Sequence, residues 1–145
     1  MREVRRSALL PFSSAQMYAL VRDVERYPEF LPWCTEARII AAQGEHATVR
    51  LGLVSGLARA SFTTRNLHVP DKSVTMSLVE GPFDHLEGRW DFTPIRPDAS
   101  RTDFRVRFAT HGLLRALALG PAFEAICNHL VDAFARRARQ VYRAG

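Results

Sequence analysis

The chain has 145 residues, of which 47% are hydrophobic and 24% are charged, and its formal net charge is +5. This length predicts one domain with a sizeable core, and the composition excludes a disordered or low-complexity protein. No apolar run approaches the roughly 18 residues that span a bilayer, and residues 1–6 lack the apolar centre of a signal peptide. We therefore expect a single domain over residues 1–145 in the cytoplasm, with peripheral contact at the inner membrane as a further option.

The cysteines and the basic residues form no motif by themselves. Cys34 and Cys127 are far apart, without a Cys-x-x-Cys pair or histidines at metal-ligand spacing, which is typical of a reducing compartment. All basic residues except Lys72 are arginine. A positive balance favours anionic surfaces such as RNA or lipid head groups, but scattered arginines are more often a solvated exterior. We predict no metal site and no catalytic cysteine.

The first part of the chain predicts a strand, a helix and an apolar loop. Residues 3–10 form the strand, and Ser13 and Gln16 resemble a capping box that opens a helix ending before Pro28. Residues 27–34 (YPEFLPWC) place four large apolar side chains around two prolines, so we expect extended or turn-like backbone there. Because each such side chain gains roughly 1.5 to 3 kcal/mol on burial, the loop must lie against a core or the mouth of a cavity.

Six more strands are predicted between residues 38 and 108. Residues 38–41 form one, and alternation of apolar and polar residues marks the other five. The inward positions of these five are Val49, Leu51, Leu53, Ala58, Ala60, Phe62, Val74, Met76, Leu78, Leu86, Gly88, Trp90, Phe92, Phe104, Val106 and Phe108. Turn formers at 55–56, 69–72, 81–84 and 94–100 separate them, which indicates an antiparallel sheet with one solvated face.

A helix closes the chain. Pro121, after Gly120, suits its first position, and apolar residues recur every three or four positions from Phe123 to Val141. Seven strands about 4.8 Å apart make a face about 30 Å wide, whereas one helix is only about 10 Å thick. We therefore expect the sheet to curl around the helix, leaving a cup that large side chains or a ligand fill, with the 27–33 loop as its lid.

The order of these elements is similar to the helix-grip fold of START and polyketide-cyclase-like proteins. Residues 23–34 (DVERYPEFLPWC) and 81–94 (GPFDHLEGRWDFTP) closely resemble the coenzyme Q-binding START-domain family, and residues 133–138 (AFARRA) match it more weakly. The similarity covers essentially the whole chain. It implies an α+β fold in which a curved antiparallel sheet of about seven strands wraps around a long C-terminal helix.

The resemblance implies three functions. The first is non-catalytic binding of ubiquinone or another isoprenoid lipid between the sheet and the C-terminal helix, which supports respiratory electron transport as a carrier or chaperone without a separate cofactor. The alternative is the role of RatA-type toxins in the same family, which bind the large ribosomal subunit and block its joining to the small one. A third interpretation is a polyketide cyclase or dehydrase, as in the wider superfamily.

The candidate ligand contacts are the large apolar side chains of the loop, the sheet and the helix. They are Tyr27, Phe30, Leu31, Trp33, Met76, Leu78, Phe83, Trp90, Phe92, Phe104, Val106, Phe108, Phe123, Ile126, Leu130 and Phe134. Candidate ribosome or anionic-surface contacts are Arg136, Arg137, Arg139 and Arg143, joined by Arg2, Arg5 and Arg6 if the first strand lies nearby.

Titratable residues give little support to catalysis. His85, Asp84 and Glu87 form the densest cluster, but Asp84 lies in a predicted turn and alternation places Glu87 on the solvated face. His129 lies beside the apolar stripe of the last helix, where a hydrogen-bonded flank position is the better interpretation. We predict no catalytic residues.

Overall fold

Seven strands form one antiparallel sheet in the computed structural model, which describes residues 1–142 apart from the side chains of residues 114–116. The strands are β1 (Arg2–Leu10), β2 (Cys34–Gln43), β3 (His46–Ser55), β4 (Ala58–Val69), β5 (Ser73–Glu80), β6 (Phe83–Arg96) and β7 (Ala99–Thr110). Their order across the sheet is β1-β7-β6-β5-β4-β3-β2, so each strand from β2 to β7 lies beside its sequence neighbour and β1 adds to the free edge of β7. The predicted seven-stranded antiparallel sheet is confirmed.

The alternating pattern sets which side chains face the interior. Val74 of β5 is opposite Trp90 of β6, and Trp90 is opposite Phe104 of β7, and all three are buried. One position away, Arg89 is opposite Arg105 and both are exposed. The strands are longer than predicted, because β6 continues through residues 94–96 with an irregular register near its solvent-exposed end, where a proline is tolerated.

The helix α1 (Ser14–Arg22) begins at the predicted cap. The backbone N–H of Gln16 donates to Ser13 Oγ at 3.1 Å, and the Ser13 N–H donates to Gln16 Oε1 at 2.9 Å, which completes a capping box. A 3-10 helix then spans Val24–Glu29 with Pro28 inside it, so the prediction of extended or turn-like backbone at Tyr27 is wrong. The φ angle that proline imposes is also a 3-10 value, and a helix this short loses little from one missing donor.

The C-terminal helix has two segments, α2 (Leu113–Asn128) and α3 (Leu130–Val141). The predicted start at Pro121 is wrong, because α2 begins just after Gly112, whose φ of 82° suits glycine, and Pro121 lies inside the helix. Residues 113–119 are nearly all strong helix formers, which favours the earlier start. The helix is interrupted at His129, whose φ and ψ are −106° and 1°.

The helices lie against one face of the sheet. The α2 helix contacts β1, β4 and β7, while α3 contacts β1, β7 and α1. This arrangement is the α+β helix-grip fold that the sequence predicts, with the long terminal helix divided in two. In the part of the chain that the structure describes, no helix combines the length and apolar character needed to cross a bilayer.

Candidate functional site

An apolar cavity of about 80 Å³ lies between the inner face of the sheet and the helices. We call it the inner cavity. Its wall consists of Val24, Tyr27, Leu31, Trp33, Val49, Leu51, Phe62, Thr64, Asn66, Met76, Leu86, Gly88, Trp90, Phe104, Val106, Phe123, Ile126, Cys127, Leu130 and Phe134. The volume is well below the roughly 300 Å³ at which ligand pockets begin.

Most of the predicted ligand contacts surround this cavity. The structure brings together Tyr27, Leu31, Trp33, Met76, Trp90, Phe104, Val106, Phe123, Ile126, Leu130 and Phe134. They come from the loop, from three strands and from both C-terminal segments, which shows that the sheet and the helices share one interior. Their role in ligand binding stays a prediction.

Five predicted contacts do not line the inner cavity: Phe30, Leu78, Phe83, Phe92 and Phe108. Phe83 and Phe108 instead pack against Phe123, with ring centroids 5.1 Å and 4.7 Å from it. Phe92 stacks beside Trp90 at 6.2 Å. These three side chains are buried in the core. Their aromatic rings fill the part of the interior that the cavity does not occupy.

Sequence reasoning missed nine lining residues: Val24, Val49, Leu51, Phe62, Thr64, Asn66, Leu86, Gly88 and Cys127. Several lie at predicted inward positions, so the alternation already contained the signal. Thr64 and Asn66 continue the inward series that begins at Phe62 along β4, and both are buried. They were not predicted as ligand contacts because the prediction considered large apolar side chains, and both residues are polar.

The 27–33 loop is fastened to its surroundings by backbone hydrogen bonds. The Leu31 N–H donates to the Tyr27 carbonyl at 2.9 Å, and the Cys34 N–H donates to the Leu31 carbonyl at 2.9 Å. The Val54 N–H donates to the Trp33 carbonyl at 2.9 Å, which ties the loop to β3. As a result, Leu31 is held over the cavity with only 1% of its surface exposed.

The α3 helix holds the same loop from the other side through Arg137. Its Nη2 donates to Glu29 Oε1 at 2.8 Å, and its Cζ lies 4.9 Å from the centre of the Phe30 ring. The Phe30 ring in turn packs edge-on against Phe134, with centroids 5.1 Å apart. Arg137 therefore pairs with the loop, and its side chain is only 18% exposed.

The other predicted arginines occupy separate surfaces. Arg136 and Arg139 are exposed on α3, and Arg143 lies outside the described residues. On β1, Arg2 Nη1 donates to Glu124 Oε2 at 3.3 Å and Arg6 Nε donates to the Asn128 carbonyl at 3.3 Å. Arg5 pairs with Glu3 at 2.6 Å. The first strand therefore directs two of its arginines towards α2.

Two grooves flank the inner cavity. The outer groove, of about 350 Å³, is lined by Phe30, Leu31, Pro32, Trp33, Ala125, Ile126, His129, Asp132, Ala133 and Arg136. Leu31, Trp33 and Ile126 border both the outer groove and the inner cavity. A second, open groove of about 850 Å³ shares Val24 and Val49 with the cavity. The cavity therefore shares part of its wall with each of two larger spaces.

The cavity wall offers no acid or base at neutral pH. Its titratable groups are Tyr27 and Cys127, and burial raises the pKa of both well above the ordinary values. The neighbouring Cys34 thiol has its pKa raised by burial to about 11. In the described part of the chain, no three His, Cys, Asp or Glu residues are grouped to hold a metal ion.

The predicted His85, Asp84 and Glu87 cluster separates into two pairs. His85 Nε2 lies 3.4 Å from Glu87 Oε1, while Asp84 Oδ1 lies 2.6 Å from His111 Nδ1. None of the four residues lines the inner cavity. The wall of the cavity is therefore apolar, and these histidines lie outside it.

Comparison with known proteins agrees with this architecture. The model of the family "Polyketide cyclase / dehydrase and lipid transport" matches residues 10–135. The ribosome association toxin RatA of Escherichia coli (strain K12) is 40% identical over 144 residues, which cover 99% of this chain and 91% of that protein. The mitochondrial coenzyme Q-binding protein COQ10 homolog B of Xenopus laevis is 30% identical over 146 residues, covering 97% of this chain and 59% of that protein.

Among solved structures, the Zhui aromatase/cyclase of Streptomyces sp. R1128 superposes with a TM-score of 0.86, covering 99% of this chain and 98% of that one. At 17% identity this likeness concerns the fold alone. The family match and the two relatives extend over nearly the whole chain. The chain belongs to the START-like polyketide cyclase/dehydrase and lipid transport family.

Proposed function

We propose that the chain binds a hydrophobic isoprenoid molecule, ubiquinone above all, and carries it without changing it chemically, in support of respiratory electron transport. The observation that carries this proposal is the apolar inner cavity, which has no charged side chain in its wall. The Xenopus relative supports the choice of ligand, since its name describes it as coenzyme Q-binding. The lack of an acid or base in the cavity wall supports transport over catalysis.

The cavity must widen to accept such a ligand, because about 80 Å³ is too small for a quinone ring. The outer groove supplies the space. Displacement of Leu31, Trp33 and Ile126 joins its 350 Å³ to the cavity. We propose that the ring enters the inner cavity and that the isoprenoid tail follows the outer groove.

An apolar tail is sufficient for useful affinity. Each methylene group that leaves water contributes about 0.8 kcal/mol, so a few isoprene units offset the cost of moving three side chains. Part of this gain is lost to the ordering of the ligand and the loop. The affinity is therefore expected to rise with tail length.

Extraction tests the proposal directly. Protein purified from a quinone-producing host is extracted with organic solvent, and the extract is analysed by mass spectrometry. We expect a stoichiometric quinone or isoprenoid lipid, and less of it after Phe30→Gln with Trp33→Gln. Leu57→Gln, at a position that is fully exposed, is the control. An extract without lipid from the unaltered protein contradicts the proposal.

Gly88→Ala offers a second test with little effect on folding. A Cβ at Gly88 would lie 2.9 Å from Met76 Cε, the flexible end of a side chain, and 3.6 Å from the nearest backbone atom, the Arg105 carbonyl oxygen. The added methyl group takes up cavity space. Both tryptophans of the chain, Trp33 and Trp90, line the cavity, so quenching of their fluorescence by a short-tailed ubiquinone reports binding there. We expect weaker quenching in Gly88→Ala.

A second function is favoured by the bacterial relatives. Proteins about 40% identical over nearly the full chain are named ribosome association toxins. We propose, as the alternative, that this chain contacts the large ribosomal subunit and hinders subunit joining. The exposed Arg136 and Arg139 on α3 are the candidate contacts, with Arg137 less available because Glu29 engages it.

Sucrose gradients test the alternative. Overproduction of the chain is expected to raise the free subunits at the expense of whole ribosomes, and Arg136→Glu with Arg139→Glu is expected to abolish this effect. Arg96→Glu is the matched control, since Arg96 is an exposed arginine on β6 and not on α3. Unchanged ribosome profiles on overproduction would rule the alternative out.

A further inference from the structure

Two polar side chains interrupt the apolar wall of the inner cavity. Thr64 and Asn66 lie two residues apart on the inner face of β4, and each is only 5% exposed. Their partners in the sheet are apolar, since Val49 and Leu78 lie opposite Thr64 while Met76 lies opposite Asn66. A buried amide is costly unless its hydrogen bonds are made, so the position of Asn66 needs an explanation.

The hydrogen bond between the two residues determines which polar groups of the Asn66 amide still lack a partner. The Thr64 hydroxyl donates to Asn66 Oδ1 at 2.7 Å. Among the residues that the structure describes, the hydrogen bonds of the Asn66 side chain involve only this oxygen. The two N–H bonds of Nδ2 therefore remain as donors in the wall of an apolar cavity.

We infer that the Asn66 amide recognises the head group of the ligand by donating a hydrogen bond to a neutral carbonyl oxygen, with Thr64 as the residue that positions the amide. An N–H donor requires an acceptor, and a carboxylate would bring an unpaired charge into a wall without charged side chains. A quinone carbonyl meets both conditions. The inference rests on the proposed function and deepens it, because it selects carbonyl-bearing rings over pure hydrocarbons.

The surroundings of Asn66 are adaptable, as the widening of the cavity for a ring requires. Its neighbour across the sheet is Met76, and Met76 is opposite Gly88, which has no side chain. A Cβ at Gly88 would lie 2.9 Å from Met76 Cε, so the methionine methyl group occupies the space that a side chain at position 88 would take. An unbranched methionine adapts easily to a guest.

Two ligands with the same tail provide the test: decylubiquinone, which has two ring carbonyls, and decylbenzene, which has none. We expect the unaltered protein to bind decylubiquinone about tenfold more tightly than decylbenzene. Asn66→Leu should make the two affinities similar, because it weakens the binding of decylubiquinone but not that of decylbenzene. If the unaltered protein binds neither ligand, the proposed function fails. If it binds both equally, or if Asn66→Leu keeps the preference, the inference about Asn66 fails.

Infrared spectroscopy of bound decylubiquinone gives a readout that a merely structural role of Asn66 would not change. A hydrogen-bonded carbonyl absorbs at lower frequency, so the band should rise in Asn66→Leu and shift or broaden in Thr64→Val. Urea unfolding of each variant confirms that it is folded. Should Asn66→Leu fail to fold, Thr64→Val and the band position in the unaltered protein test whether Asn66 donates to the carbonyl. A carbonyl band at its position in hydrocarbon solvent overturns the inference.

Discussion

Leu31 is one of three side chains that border both the inner cavity and the outer groove, and shortening it tests how the interior is closed. It is 1% exposed and borders both spaces. Leu31→Ala removes three carbon atoms from the core, with a transfer cost of about 2 kcal/mol. A residual void of about 50 Å³ adds about 1.2 kcal/mol at the usual cost per unit volume. We therefore expect the free energy of unfolding to fall by about 3 kcal/mol.

The same substitution should favour the ligand. Because it removes a side chain that otherwise has to move aside, Leu31→Ala is expected to bind a short-tailed ubiquinone more tightly than the unaltered protein does. Ligand at 100 times its Kd then restores about 2.7 kcal/mol of stability. Urea unfolding with and without the quinone measures both effects, with tryptophan fluorescence as the signal.

Leu57→Ala is the matched control, since Leu57 is fully exposed in the turn between β3 and β4. Its effect on stability should stay within about 0.5 kcal/mol. A loss below about 1 kcal/mol in Leu31→Ala would show that Leu31 is not packed as described. If the free energy of unfolding falls by the expected amount but Leu31→Ala does not bind the quinone more tightly, Leu31 does not close the cavity.

Three further predictions concern the surroundings of the site. Because burial raises the pKa of Cys34 to about 11 from 9.0, its ionisation in the unfolded chain should lower the stability as pH rises from about 9 to 11. Cys34→Ala should make this part of the pH profile of urea unfolding less steep, while the contribution of Cys127, whose pKa burial also raises, remains. Arg137→Lys loses the stacking on Phe30, so hydrogen exchange of the Leu31 amide should accelerate, whereas Arg139→Lys should leave it unchanged. Ser13→Ala removes the N-cap of α1 and should cost about 1 kcal/mol in thermal unfolding, whereas Ala15→Ser should cost less.

The strands and the first helix could be predicted because their signals are local. Alternation with period two identifies the buried face of each strand, as the buried row of Val74, Trp90 and Phe104 shows. The capping box at Ser13 and Gln16 likewise places the start of α1 correctly. The order of the strands in the sheet came from the family resemblance, because the alternation of apolar and polar residues does not specify it.

The C-terminal helix shows where local signals compete. Pro121 favours a helix start, but the helix formers before it continue the helix through the proline. The interruption at His129 has no proline or glycine at that position to announce it. Since α2 packs against β1, β4 and β7 whereas α3 packs against β1, β7 and α1, the position of the interruption is a tertiary effect.

By itself the sequence determined the α+β class, the apolar loop and the inner face of each strand, because hydrophobic periodicity records which side of each element leaves water. Only the tertiary structure decided how much of the cup stays empty, because this depends on how the rings of Phe83, Phe108 and Phe123 fill the space between sheet and helix. It also decided that Thr64 and Asn66 meet in the cavity wall, since a polar residue on a buried face acquires its partners only when the strands and helices pack together.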